Sequence, residues 1–384
     1  VTQSTARQLK IAFNAAGVKL GGILTYFRQI FPLLHEDSSI TALAIFPAAH
    51  VEEFRCLAPR FDIRPYPYPD FLPFRMYWDL RQTKGIYRTE SVDAAFTTNF
   101  GMLIPPCARA FWLRNALYFS RAYERYLKER NLMLALGVMR LRRRWAEEIA
   151  RHSDILLFST NAMRDEVLDR WTWYPMERTR IIPFGHEHIL QVTASEKKRQ
   201  YLSSKYISKC CPGKTLFFPS LPGHHKNLSV VLEALRIAGR EEPKVRLLLP
   251  TVQGFHVDIP ENVAPFVIPV EMLDAEAMKI IYTEADMVLF PSFCESFGLP
   301  LLEAMACHTP ILAADIPTSR EICGEAAIYL PPFDASAWGQ AILALIRHPD
   351  RAGKLTQAGT DRVKHFSWCR HVEALVTTAK EISG

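Results

Sequence analysis

No stretch of the sequence approaches the roughly 18 consecutive apolar residues that a membrane-spanning helix needs. The opening residues, VTQSTARQLKIAF, hold no long apolar segment and no cleavage pattern, so they do not read as a signal peptide. A cytoplasmic location is expected, with association to the cytoplasmic face of a membrane left open. The eight cysteines are scattered, and no two make a CxxC pair or a zinc-ribbon spacing. Reduced thiols are the simpler reading, because a chain of this length needs no disulfide framework. The dinucleotide fingerprint G-x-G-x-x-G is absent: the first strand-to-helix turn reads G-x3-G-G, which argues against a nicotinamide dehydrogenase. Asp-x-Asp occurs nowhere, and there is no short-period repeat or low-complexity tract.

What is present suits a globular chain of two domains. The 384 residues are 49% hydrophobic and 22% charged, enough apolar material for two cores. The net charge of +6 is uneven: residues 1–186 hold 26 Lys+Arg against 18 Asp+Glu, leaving 20 against 22 for the remainder. A basic first half points to an anionic partner, such as nucleic acid, a membrane surface or a phosphorylated, lipid-linked molecule.

Short continuous apolar runs recur along the chain. They fall at 9–13, 40–46, 93–98, 154–159 and 180–184, then at 214–219, 245–250, 264–269, 286–291, 310–315 and 326–330. Runs without polar alternation suit strands buried on both faces. Helical patterns between them, such as LSVVLEALRIAG, give βαβ units and parallel sheets, twice over. The predicted class is α/β with two Rossmann-like domains. The expected division is 1–186, 187–365 and a C-terminal helix over 366–384 that packs back on the first domain. The polar stretch 185–212 marks the break, or a surface helix and loop.

Two segments depart from this alternation. Residues 66–78, YPYPDFLPFRMYW, are rich in proline and aromatics, and read as an irregular core segment or as the lining of an acceptor site. Residues 139–152, MRLRRRWAEEIARH, read as a basic helix with Leu141, Trp145 and Ile149 at four-residue spacing. A core-facing helix with a solvated Arg face is the commoner outcome, and docking on a membrane surface is the alternative.

The most informative stretch is PSFCESFGLPLLEAMACHTPILAAD, 291–315. A buried strand ends in a polar loop, Gly298 sits at the turn, and Pro300 suits the first turn of a helix. The N–H groups of such a helix start bind phosphate oxygens, and Gly298 lets a ligand approach the backbone. Glu295 lies in the loop and Glu303 in the helix, so they are placed to hold different parts of an extended ligand. Carboxylates suit sugar and ribose hydroxyls. Upstream, FFPSLPGHHKN places Lys226 between a strand and a helix, where its ammonium suits a diphosphate. His225 reads equally as a helix-cap neighbour or as a ligand contact. Gly21-Gly22 precedes the first helix, and paired glycines there are common turn punctuation. His186-Glu187-His188 suggests a metal-ligand pair or, more in keeping with its place after a strand, a structural role.

The pattern P-S-x-x-E-S-F-G-L-P-x-L-E-A-M-A, with Glu295 and Glu303 in a Glu-x7-Glu spacing, resembles the signature of glycosyltransferase family 4. The flanking DAEAMKIIYTEADMVLFPS, IPTSREICGEAAIYLPPFD and HFSW resemble the same family, so the likeness is strong over 214–370. It implies a GT-B fold, with two Rossmann-like domains whose parallel sheets face across a cleft. It implies a retaining hexosyltransferase that uses a UDP- or GDP-sugar and a glycan, lipid-linked or small-molecule acceptor, and no nucleic acid. Glu303 would hold the ribose, Glu295 the transferred sugar, and the amides of Phe297, Gly298 and Leu299 the sugar and diphosphate. Gly21 and Gly22 would face the donor phosphates or the acceptor. Glu295 and Lys226 are the expected catalytic residues. No cofactor or metal is expected, with Lys226 and the helix N-terminus offsetting the diphosphate charge. The chain departs from the family at Ser220 and Leu221, where an Arg is usual, although His225-Lys226-Asn227 resembles a branch lacking that Arg. The family's N-terminal-domain His has no counterpart in FWLRNALYFS, where Arg114 and Asn115 stand instead. Residues 266–272 are expected near the base. A sugar-nucleotide epimerase or a non-catalytic scaffold on the same fold are the alternatives.

Overall fold

The computed structural model describes residues 7–15, 22–67, 77–98, 106–210, 214–221, 223–251, 257–271 and 273–384. Gly21, most of the aromatic segment 66–78 and Met272 therefore lie outside the described residues. The chain forms two compact units. One comprises 1–119, 126–183 and 368–384, and the other 120–125 and 184–367. The C-terminal helix Trp368–Ser383 thus belongs with the first unit.

The first unit holds seven parallel strands: β1 Leu9–Asn14, β2 Ile40–Phe46, β3 Asp62–Pro65, β4 Ala94–Thr98, β5 Ala108–Trp112, β6 Ile155–Phe158 and β7 Thr179–Ile181. Their order in the sheet is β3-β2-β1-β4-β5-β6-β7. The apolar runs of the sequence mark five of these. β3 is short, polar and ends in Pro65, which suits its place at the sheet edge. β5 was obscured by Arg109, which interrupts its apolar run. Arg109 is fully buried, yet its guanidinium donates to the carbonyls of Ile149 and His152, both at 2.9 Å, and to Ser153 Oγ at 3.1 Å. The first two are carbonyls at the C-terminus of the helix Met133–Arg151, where a cation is favoured. Burial still pushes its pKa down, to about 10.

The core of this unit is aromatic. Phe27 and Phe31 of the helix Gly22–Glu36 meet Phe13 of β1 and Phe46 of β2, and Phe46 stacks on Phe54 at 4.2 Å. His371, on the C-terminal helix, is buried against Trp112 and Tyr26 and donates from Nδ1 to Pro183 O at 2.8 Å. Burial holds its pKa down to about 3, so it is a neutral packing residue.

The second unit holds six parallel strands: β8 Thr215–Phe217, β9 Arg246–Pro250, β10 Val267–Val270, β11 Met287–Phe290, β12 Ile311–Ala314 and β13 Ala327–Leu330. Every one coincides with an apolar run of the sequence. The order is β10-β9-β8-β11-β12-β13, so the sheet grows one way from β8 and the other way from β11. β8 and β11 pair directly at that reversal, Met287 against Leu216 and Val288 against Phe217. The polar stretch after the first unit is ordered as helices Glu187–Gln191 and Glu196–Lys205. They are tied to the helix Ala275–Glu284 by Ser195 to Glu276, Lys198 to Asp274 and Lys279 to the carbonyls of Leu190 and Val192.

Two helices, Leu228–Glu241 and Ala335–Arg347, pack closely on this sheet. Gly339 makes the approach possible: a Cβ there would lie 3.1 Å from Ile237 and 3.2 Å from the Ala234 carbonyl. Gly239 is tighter still, because a Cβ would fall 2.3 Å from the Phe266 ring. Gly239→Ala should therefore destabilise the second unit by about 1–3 kcal/mol through overpacking, although alanine is the better helix former. Urea unfolding followed by fluorescence checks this, and an unchanged or raised midpoint would show that Phe266 yields freely.

Candidate functional site at the strand-order reversal

In an open parallel sheet, the loops at the carboxyl ends of two strands that lead to opposite sides splay apart and leave a crevice. In the second unit those strands are β8 and β11. The loop after β8 leads through the short helix His224–Lys226 into Leu228–Glu241, and the loop after β11 leads into the helix Leu299–Ala306. These loops carry Lys226 and Glu295.

The structure brings these two residues together. Lys226 Nζ lies 2.5 Å from Glu295 Oε1, with the side chains 19% and 12% exposed, so the pair is largely buried but open to solvent on one side. The two loops are also joined through backbone: Phe293 N donates to His225 O at 3.1 Å. Asn227 supplies the strongest tie. It is buried, adopts a left-handed backbone with φ 54°, and its Nδ2 donates to Pro332 O at 2.5 Å and Pro291 O at 3.4 Å. Asparagine tolerates that conformation better than most residues. From the other side, Thr318 Oγ1 donates to the Glu295 carbonyl at 3.1 Å. The His225 imidazole is held neutral, with a pKa near 4, first by burial and then by the adjacent Lys226 ammonium.

Gly298 caps the helix Leu299–Ala306 with φ 89°, and Pro300 sits in its first turn. A Cβ on Gly298 would be strained by that φ, and would lie 3.1 Å from Leu301 and 3.4 Å from Phe290. The glycine is thus required by the turn and by packing against side chains of the unit itself, beyond any ligand approach. Phe297 is buried against Phe184 at 4.8 Å and Phe366 at 5.9 Å, so only its backbone is placed to meet a ligand. In the first turn Pro300 has no N–H and Leu301 N donates to Gly298 O at 2.9 Å, so the Leu299 N–H is the one left without an acceptor within the helix, and with the preceding amides it makes this end favourable for an anion.

Glu303 is held separately from Glu295. His188 Nε2 donates to its Oε1 at 3.0 Å, and the Tyr282 hydroxyl donates to its Oε2 at 2.7 Å. Each oxygen retains a further lone pair for a ligand hydroxyl. His186 Nδ1 donates to Phe366 O at 2.6 Å, so the two histidines of His186-Glu187-His188 turn to different partners. Among the described residues, no group of three or more His, Cys, Asp or Glu is arranged to hold a metal ion. Gly22 opens the helix Gly22–Glu36 of the first unit and is exposed. Ser220 is partly exposed and Leu221 exposed.

Tyr282 and Thr318 were not singled out from the sequence, and the role of Asn227 was not read. Tyr282 lies 21 residues from Glu303, with no spacing rule to connect them. Asn227 carried a signal in His225-Lys226-Asn227, because an asparagine just before a helical run marks a cap.

Residues 213–348 match the family model described as Glycosyl transferases group 1. The O-antigen chain mannosyltransferase RfbU of Salmonella typhimurium is 40% identical over 73 residues, 19% of this chain and 21% of that protein. The chain thus aligns with about a fifth of that relative's length. Among solved structures, a glycosyltransferase from Rickettsia africae superposes with a TM-score of 0.74 at 16% identity, covering 98% of this chain and 99% of that one. Anabaena Alr3699/HepE in complex with UDP-glucose gives a TM-score of 0.70 at 14% identity, covering 97% and 100%. The fold is therefore the GT-B fold of glycosyltransferases. Over residues 213–348 the chain is, more narrowly, similar to the Glycosyl transferases group 1 family.

Asn227→Gly keeps the left-handed turn but removes the side-chain hydrogen bonds to Pro332, Pro291 and Ser229, and should cost about 1–3 kcal/mol. Asn227→Ala adds backbone strain and should cost about 1–2 kcal/mol more. Equal unfolding midpoints for the two variants in urea would refute the strain contribution.

Proposed function

We propose that this chain transfers a hexose-type sugar from a nucleoside diphosphate sugar, UDP- or GDP-linked, to a glycan, lipid-linked or small-molecule acceptor, with retention of anomeric configuration and without a metal. The observation that carries the reading is the Lys226–Glu295 pair at the β8–β11 reversal, beside the open end of the helix that bears Glu303. A cation, a row of backbone N–H groups and two separately held carboxylates match the parts of such a donor: diphosphate, sugar and ribose. The names of the similar proteins support it, since one is a mannosyltransferase and another was solved with UDP-glucose.

In this mechanism the donor diphosphate takes Lys226 and the N–H groups of Phe297, Gly298 and Leu299, and Glu295 is released to orient the sugar. Glu303, held by His188 and Tyr282, accepts from the ribose hydroxyls. The acceptor hydroxyl approaches the face that the diphosphate leaves. The anomeric carbon–oxygen bond to phosphate breaks as the new glycosidic bond forms, and the departing phosphate takes the acceptor proton. Lys226 and the helix start stabilise the charge that develops on the leaving group, and Glu295 fixes the sugar in the reactive orientation.

Melting of the protein against UDP-, GDP-, dTDP- and ADP-sugars, with chelator and no added metal, tests the donor site. A ligand at about a hundred times its dissociation constant adds about 2.7 kcal/mol to the folded state. One nucleotide should raise the melting temperature, and Glu303→Ala should abolish that rise. No rise with any of them would favour a non-catalytic scaffold. Lys226→Ala and Glu295→Ala should each lower sugar transfer, or donor hydrolysis without acceptor, by about 10²–10³-fold with the fold intact. Unchanged turnover in either variant removes that residue from the mechanism, and product formed without any acceptor sugar or water would indicate an epimerase.

A further inference from the structure

We propose that the solvent face of the helix Met133–Arg151 in the first unit is a docking surface for an anionic lipid bilayer. The helix was expected from sequence to present Leu141, Trp145 and Ile149 together. The structure divides them: Ile149 is buried with Leu136, Met139, Ala146 and Ala150, whereas Leu141 is exposed. A different stripe faces out. Leu134, Val138, Leu141 and Trp145 recur at i, i+4, i+7 and i+11, which returns to nearly the same helical angle. Leu134 is 84% and Leu141 68% exposed, Val138 is exposed, and Trp145 is half-buried. Met133, also exposed, lies at the edge of the stripe.

Scattered exposed leucines need no explanation, but a contiguous apolar stripe does. Its charge setting selects the partner. From Met133 to Trp145 the helix carries four arginines and no acid. Arg140 and Arg144 are exposed on one flank of the stripe. Arg142 is exposed on the other, its guanidinium 5.9 Å over the Tyr118 ring. Arg143 points away, toward the carbonyl of Tyr118. An apolar stripe bordered by arginines fits a bilayer surface: the leucines enter the acyl boundary while the long arginine stems lie along it and their heads reach phosphate. Two copies of the same face would instead bring arginine against arginine. Among the described residues, no helix is long and apolar enough to cross a membrane, so the contact is on the surface. The basic excess of residues 1–186 acts in the same direction.

The test is co-sedimentation of the full chain with phosphatidylcholine vesicles, with and without phosphatidylglycerol, at low and high salt. The chain should pellet with the anionic vesicles at low salt, and recovery should fall with neutral lipid or high salt. Arg140→Gln with Arg144→Gln should weaken binding about fivefold per arginine. Leu134→Glu with Leu141→Glu should abolish it. Both double variants should keep the parent's melting temperature, since all four side chains are exposed. Equal recovery on neutral and anionic vesicles, or parent-like binding by both variants, overturns the proposal. So does a dimer in solution that the leucine variant dissociates, which would assign the stripe to self-association. None of these outcomes depends on the donor site.

Discussion

The pairing of β8 with β11 is the constraint on which the candidate site depends. Because all six strands run in one direction and each crossover must return over a sheet face, the order reverses once, between these two strands. Their following helices leave on opposite sides, and the loops between open a crevice that no other strand pair in this sheet provides. Every feature of the site follows from that divergence. It lets Lys226 and Glu295, 69 residues apart, meet as an ion pair. It sets the helix start at Gly298 at the same edge, and requires a left-handed residue at each corner, Asn227 on one side and Gly298 on the other.

The buried and half-buried charges fall into two kinds. Arg109 is held by two backbone carbonyls and a serine hydroxyl. It resolves a structural conflict: a charge in a central strand, offset by the negative end of a neighbouring helix. Lys226, Glu295 and Glu303 are held by other side chains near solvent, and a ligand with matching groups can replace or extend those contacts. Burial with complete satisfaction marks a scaffold. Partial burial with exchangeable partners marks a place where binding energy can be spent on orientation.

Sequence alone determined the strand runs of the second unit, the class of the fold and the motif residues. Strands buried on both faces require uninterrupted apolar runs, and a phosphate-binding turn requires glycine and proline at particular places, so both leave a local record. β3 and β5 left a weaker one, because an edge position and a helix terminus excused polar residues that a central strand would exclude. Only the tertiary structure decided which charges are partners. The Lys226–Glu295 pair, the His188 and Tyr282 grip on Glu303, the tie from Asn227 to Pro332, and the outward turn of Leu134 and Leu141 all depend on which elements lie side by side. Contacts across tens of residues have no period in sequence. They are set by the strand order and by the side of the sheet each crossover takes, which chain-local chemistry does not encode.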